Sequence, residues 1–149
     1  MFLAPQELRT YFITTVTADR HRLFQLDRNA TLLLNILETH RLKQTYALHA
    51  FVLMPDHVHL LLTPSPLISL EKSMQLIKGG FSFQLKSGKE VWARSYDSRR
   101  IEDRESFLNH ETYTHLNPVK SKLSPTPAAY PYSSAALPHR TDPPPSHFR

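Results

Sequence analysis

Between residues 10 and 18 (TYFITTVTA) β-branched and aromatic side chains divide over two faces. Tyr11, Ile13, Thr15 and Thr17 fall on one, and Phe12, Thr14, Val16 and Ala18 on the other, which predicts a first strand. Over residues 27–42 the period lengthens. Ala30, Leu33, Ile36 and Leu37 follow helical spacing, with Asp27 placed as N-cap and a polar run at 39–43 as the stop. Residues 46–54 (YALHAFVLM) and 57–63 (HVHLLLT) predict two more strands, antiparallel because only Pro55-Asp56 joins them. The run Leu60-Leu61-Leu62 breaks the alternation, so this strand is expected to be central and covered on both faces. Over residues 69–85, Leu70, Met74, Ile77, Phe81 and Leu85 form one buried stripe of a second helix. Gly79-Gly80 weaken that helix by about 1 kcal/mol each against alanine and point to a kink or a close backbone contact. A fourth strand is expected within residues 91–101. A third helix follows over 102–117, with Phe107, Leu108 and Leu116 in the core and Asn117-Pro118 as its end. Residues 130–136 (YPYSSAA) are expected to pack on the body. The Pro-rich stretch 137–149, with Pro143-Pro144-Pro145, reads as a disordered tail. The order βαββαβ predicts an α+β, ferredoxin-like split-βαβ sandwich, and the last helix is an addition.

A chain of 149 residues is one domain's worth and long enough to bury a core without staples. It contains no cysteine, which excludes disulfides, thiolate metal sites and cysteine nucleophiles. No apolar run reaches the roughly 18 residues of a membrane span, and the first residues, MFLAPQELRT, carry no leader signature. A cytoplasmic location is expected. The net charge of +5 and the pI near 9.6 favour polyanionic partners, nucleic acid above all.

The chemistry gathers around Met54-Pro55-Asp56-His57-Val58-His59. On a strand, His57 and His59 share one face and Val58 points the other way, so two imidazoles make half of a metal site. One of the two serving only as a structural hydrogen-bonder is the competing reading. Asp56 is either an orienter of an imidazole or simply a turn former. Tyr113 and Asn117 stand four apart, on one face of the third helix. Taken alone, they read equally as packing and a cap. His115 lies about 200° around from Tyr113 and faces away.

Together MPDHVHLLL (54–62), LIKGGFS (76–82), VWARSYD (91–97), YTHLNPVK (113–120) and YPYSS (130–134) resemble the IS200-like, single-tyrosine (Y1) transposases of the HUH endonuclease class. Within that class the likeness is to the REP-associated tyrosine transposases. The resemblance spans nearly the whole chain and implies a transposase domain over residues 1–136. It implies His57, His59 and Asn117 as ligands of a divalent metal, Mg²⁺ or Mn²⁺, and Tyr113 as the nucleophile. The implied reaction is cleavage and rejoining of single-stranded or hairpin DNA through a 5′-phosphotyrosine, by a monomer or homodimer. Tyr96 and Tyr11 are alternative nucleophiles without a ligand partner at helical spacing. After Asn117-Pro118-Val119, relatives usually carry a small residue and then glycine. Here Lys120-Ser121-Lys122-Leu123 follows, so a different helix exit is expected.

Lys78, Arg94, Arg99, Arg100, Lys120 and Lys122 are candidate phosphate contacts expected near the site, and Trp92 a platform for an unpaired base. Each cation equally fits a solvated surface, and Trp92 the core. Two rival functions stand beside the transposase: a domesticated DNA-binding regulator that does not cut, and an unrelated metal phosphoesterase using His57 and His59.

Overall fold

The computed structural model describes residues 7–149; residues 1–6, where no leader signature is read, lie outside the described residues. The elements run β1 (Thr10–Thr17), α1 (Asp27–Leu42), β2 (Tyr46–Met54), β3 (His57–Pro64), α2 (Leu70–Leu85), β4 (Trp92–Ile101) and α3 (Arg104–Lys120). All neighbouring strands pair antiparallel in the order β2-β3-β1-β4. This is the expected ferredoxin-like sandwich with one helix added.

The two faces of the sheet are covered differently. Ile13, Leu48, Phe51, Leu53, Val58, Leu60 and Leu62 pack with the stripes of α1 and α2 in the larger core. On the other face Phe12, Ala50, Leu61 and Ile101 meet Phe107 of α3 and Phe148 of the tail. Val52 and Met54 meet Tyr130 there. The register slips at His49, between Leu48 and Ala50, which lets Leu48 and Phe51 face the same core. β3 lies between two strands and is buried along nearly its whole length, as its leucine triplet predicts.

Several expectations change in detail. Asp27 opens α1 but is not its cap; its Oδ1 accepts a hydrogen bond from the Tyr132 hydroxyl at 2.7 Å. α2, capped by Ser69, runs through Gly79-Gly80, and a Cβ on Gly80 would meet Ile36 at an ordinary 3.8 Å. Leu108 is exposed and Leu116 only partly buried, so Phe107 alone of the three anchors α3 in the core.

α3 does not stop at Asn117 but continues through Pro118 to Lys120. Proline here sits in the final turn, where its missing N–H costs a single helical bond. The helix then closes by two bonds, Leu123 N–H to the Pro118 carbonyl at 2.8 Å and Lys122 N–H to the Val119 carbonyl at 3.0 Å. Lys122 takes the left-handed conformation, φ 59°, that a glycine would take without strain. The exit is therefore the ordinary glycine-type closure made with a lysine, not a different turn.

The Pro-rich tail is ordered against the body. Tyr132 to Ser134 lie along the outer edge of β2, with Leu53 N–H donating to the Tyr132 carbonyl and Ser134 N–H to the Phe51 carbonyl, each at 2.9 Å. Further on, Asp142 N–H donates to the Leu48 carbonyl at 2.7 Å. Its carboxylate accepts from Leu48 N–H at 2.8 Å and from Arg41 at 3.0 Å. Phe148 is buried against Phe107. Composition suggests disorder because it counts apolar residues. It does not register that prolines have little conformational freedom to lose, so a few anchors suffice.

Candidate active site

β3 presents His57 and His59 to the α3 face, because they alternate with Val58 and Leu60 of the larger core. Their rings lie edge-on, with centroids 4.9 Å apart. The turn before β3 is pinned from β1, where Thr17 N–H donates to the Asp56 carbonyl at 3.0 Å. His57 Nδ1 donates to Asp56 Oδ1 at 2.7 Å, so Asp56 both forms the turn and orients the ring. Burial alone would raise the Asp56 carboxyl. Hydrogen bonding and charge from His57 and Arg20 outweigh it and bring it below its ordinary value. His59 Nδ1 is 3.0 Å from the Thr14 hydroxyl, directly across the β1–β3 pairing. Burial, reinforced by the neighbouring His57, holds the His59 imidazole down at about 3, so it stays neutral.

With both Nδ1 atoms engaged, each Nε2 is left without a hydrogen-bond partner among the described residues. The carboxamide of Asn117, in a residue only 9% exposed, also makes no hydrogen bond there. Among the described residues no three His, Asp or Glu side chains group around one point. Two imidazoles on one strand face, each held through Nδ1 with Nε2 uncommitted, are a donor set that suits a divalent cation.

α3 brings Tyr113 beside His59. Its ring is 5.5 Å from His59 and 5.9 Å from Phe12, and the residue is 44% exposed. Phe12, in turn, stacks on His59 at 5.2 Å. Together they wall a cavity of about 430 Å³, with Thr14, Asp97 and Arg99 on the sheet side and Asn109 and His110 on the helix side. The Lys120 ammonium lies 5.6 Å over the Tyr113 ring.

The candidate DNA contacts divide between the two faces instead of clustering at the site. Arg99 and Lys120 are at the cavity. Lys78, Trp92 and Arg94 line a groove of about 720 Å³ between α2 and β4, on the opposite face. Arg100 stands across from Tyr11, on that same opposite face. The alternation of β4 separates Arg99 from Arg100, which sequence proximity conceals. Trp92 packs on Phe24 and Phe81 and donates from Nε1 to the Lys78 carbonyl at 3.0 Å, so it is largely a core residue. Lys122 lies exposed at the helix exit. Tyr96 and Tyr11 pack on the α1–α2 side, away from the histidines. His115 is turned to Ser134, 2.7 Å away. Sequence reasoning passed over His110 and Thr14. Helical spacing of three from Tyr113 flags His110, whereas Thr14 needs the strand register.

Solved structures share this architecture, two of them as follows. One is described as the structure of a REP-associated tyrosine transposase bound to a REP hairpin. It superposes with a TM-score of 0.77 at 19% identity over 96% of this chain and 89% of that one. The other, a putative transposase from Deinococcus radiodurans R1, gives 0.57 at 21% identity over 83% of this chain and 96% of that one. A comparison with curated protein sequences returns no significant match. The family profile described as "Transposase IS200 like" matches residues 6–117, which takes in the strand of paired histidines and the helix as far as Tyr113 and Asn117. By that match the chain belongs to the IS200-like transposase family.

Proposed function

We propose that the chain cuts and rejoins single-stranded DNA at hairpin sequences, with Tyr113 as nucleophile and a divalent metal, Mg²⁺ or Mn²⁺, held by His57, His59 and Asn117. The observation that carries this reading is the position of Tyr113, 5.5 Å from His59 at a shared cavity and borne by the same chain. A bound divalent cation would make a phosphodiester more electrophilic and hold it in place. The protein's own part is to orient both imidazoles, through Asp56 and Thr14. Tyr113 forms a phosphotyrosine with the 5′ phosphate and frees a 3′ hydroxyl. The ester conserves the bond, so a second 3′ hydroxyl can rejoin the strand.

Arg99 and Lys120 are placed to neutralise the phosphates entering the cavity. Lys78, Arg94 and Arg100, with Trp92 behind them, form a second basic surface on the far side of the sheet, suited to a stem that leaves the cavity. The hairpin bound in the similar REP-associated structure supports DNA of this shape as the substrate.

The test is incubation with labelled single-stranded hairpin oligonucleotides and Mn²⁺, read on a denaturing gel. The wild-type chain yields a covalent adduct, while Tyr113→Phe binds the hairpin and yields none. An adduct persisting in Tyr113→Phe, or absent from the wild-type chain across a hairpin library, would sink the proposal.

A further inference from the structure

His110 sits one turn before Tyr113 on α3 and lines the same cavity. Its Nδ1 is 2.7 Å from the Ser106 carbonyl and 3.4 Å from the Ser106 hydroxyl. A carbonyl only accepts, so Nδ1 carries the proton and the lone pair resides on Nε2. No hydrogen bond engages that Nε2 among the described residues. The ring is fixed further by Phe12, 4.8 Å away, the same phenyl group that touches Tyr113 and stacks on His59. Phe12 touches His110, Tyr113 and His59 alike, and what ties His110 to the tyrosine is their spacing of three on α3 and the cavity they share. The cavity holds few other bases. Asp97 is 3.8 Å from the Arg99 guanidinium, Asn109 is not basic, and His59 is given to the metal in the reading above.

A phenol is ordinarily protonated at neutral pH and attacks poorly until its proton is removed. We infer that His110 is the general base for Tyr113, an inference that rests on the nucleophile proposed above. Nε2 takes the hydroxyl proton, directly or through one water, as the bond from Oη to phosphorus forms and the bond from phosphorus to the 3′ oxygen breaks. The departing 3′ oxygen takes a proton from solvent, and the imidazolium later gives its own to solvent. In rejoining, His110 takes a proton back from solvent, the attacking 3′ hydroxyl gives its own to solvent as its oxygen bonds to phosphorus, and the imidazolium protonates the tyrosine oxygen as the bond from phosphorus to Oη breaks. The tautomer set by Ser106 is what makes the ring an acceptor toward the cavity.

The experiment compares adduct formation in the full-length wild-type chain, His110→Ala and His110→Asn, with hairpin affinity measured alongside. Asparagine keeps a donor for the Ser106 carbonyl but supplies no base. A general base contributes about 10² to 10⁴ in rate. Both variants are expected to bind the hairpin normally and to form adduct slower by that factor. Added imidazole should partly rescue His110→Ala. Incorporating 3,5-difluorotyrosine at position 113, whose hydroxyl ionises with less help, should shrink the gap between wild type and His110→Asn. Wild-type rates in His110→Asn, or a gap unchanged by the fluorinated nucleophile, would overturn the assignment. An inactive wild-type chain would instead indict the Tyr113 reading itself.

Discussion

The two faces of the sheet follow opposite rules. Under α1 and α2 the strands send Ile13, Phe51, Val58, Leu60 and Leu62 into a continuous apolar core. Under α3 the same strands send Thr14, His59 and Arg99 toward a cavity, and α3 itself buries only Phe107, Thr114, Asn117 and Pro118. A helix covering a dense core can be read from its stripe. One covering a polar site shows almost no stripe, because its inward residues are chosen for chemistry. The first face supplies stability, and the second uses the rigidity that stability provides.

The sharpest way to break that division is to exchange the losses. His57→Ala should remove metal-dependent adduct formation below detection while the unfolding midpoint hardly moves, since His57 is only partly buried. Unchanged cleavage would take His57 out of the metal site. On the other face, Phe81→Ala removes a side chain with no exposure and should cost about 3–5 kcal/mol in denaturant unfolding. A loss under about 1 kcal/mol there would mean that α2 is not the support it looks to be.

Acid should act mainly through the α3 face. Burial lowers the affinity of His49, His59 and His115 for a proton, and of His40 at the end of α1. The unfolded chain therefore binds more protons below the ordinary histidine value of about 6.5, and stability falls as pH drops through that value. For His59 the fall continues toward about 3. Denaturant curves at several pH values check it; a flat profile from neutral to pH 5 would contradict it. The smallest effect concerns the helix exit. Lys122→Gly relieves a left-handed lysine and should stabilise by about 1 kcal/mol, read as a raised midpoint with unchanged slope.

Much of this was legible in the residues. The period of the strands and the stripes of α1 and α2 name their elements and the core they share, and the leucine triplet marks the central strand. His57, His59, Tyr113 and Asn117 stand out by spacing, but spacing could not bring β3 and α3 together; the resemblance to a family did that. Two kinds of information stayed hidden. One was which face each basic residue takes, since a single step along β4 sends Arg99 and Arg100 opposite ways. The other was the tail, where anchoring depends on Asp142 and Phe148 meeting Leu48, Arg41 and Phe107, contacts made across most of the chain's length.

The segment lying along β2 has an effect beyond holding itself in place. An uncovered outer strand invites a stranger's backbone to zip onto it. Here Leu48, Phe51 and Leu53 already spend their outward groups on Tyr132, Ser134 and Asp142. The remaining border, β4, bristles with Arg94, Asp97, Arg99 and Arg100. With one border already hydrogen-bonded and the other lined with charge, the sheet offers little bare, apolar edge for another backbone to extend.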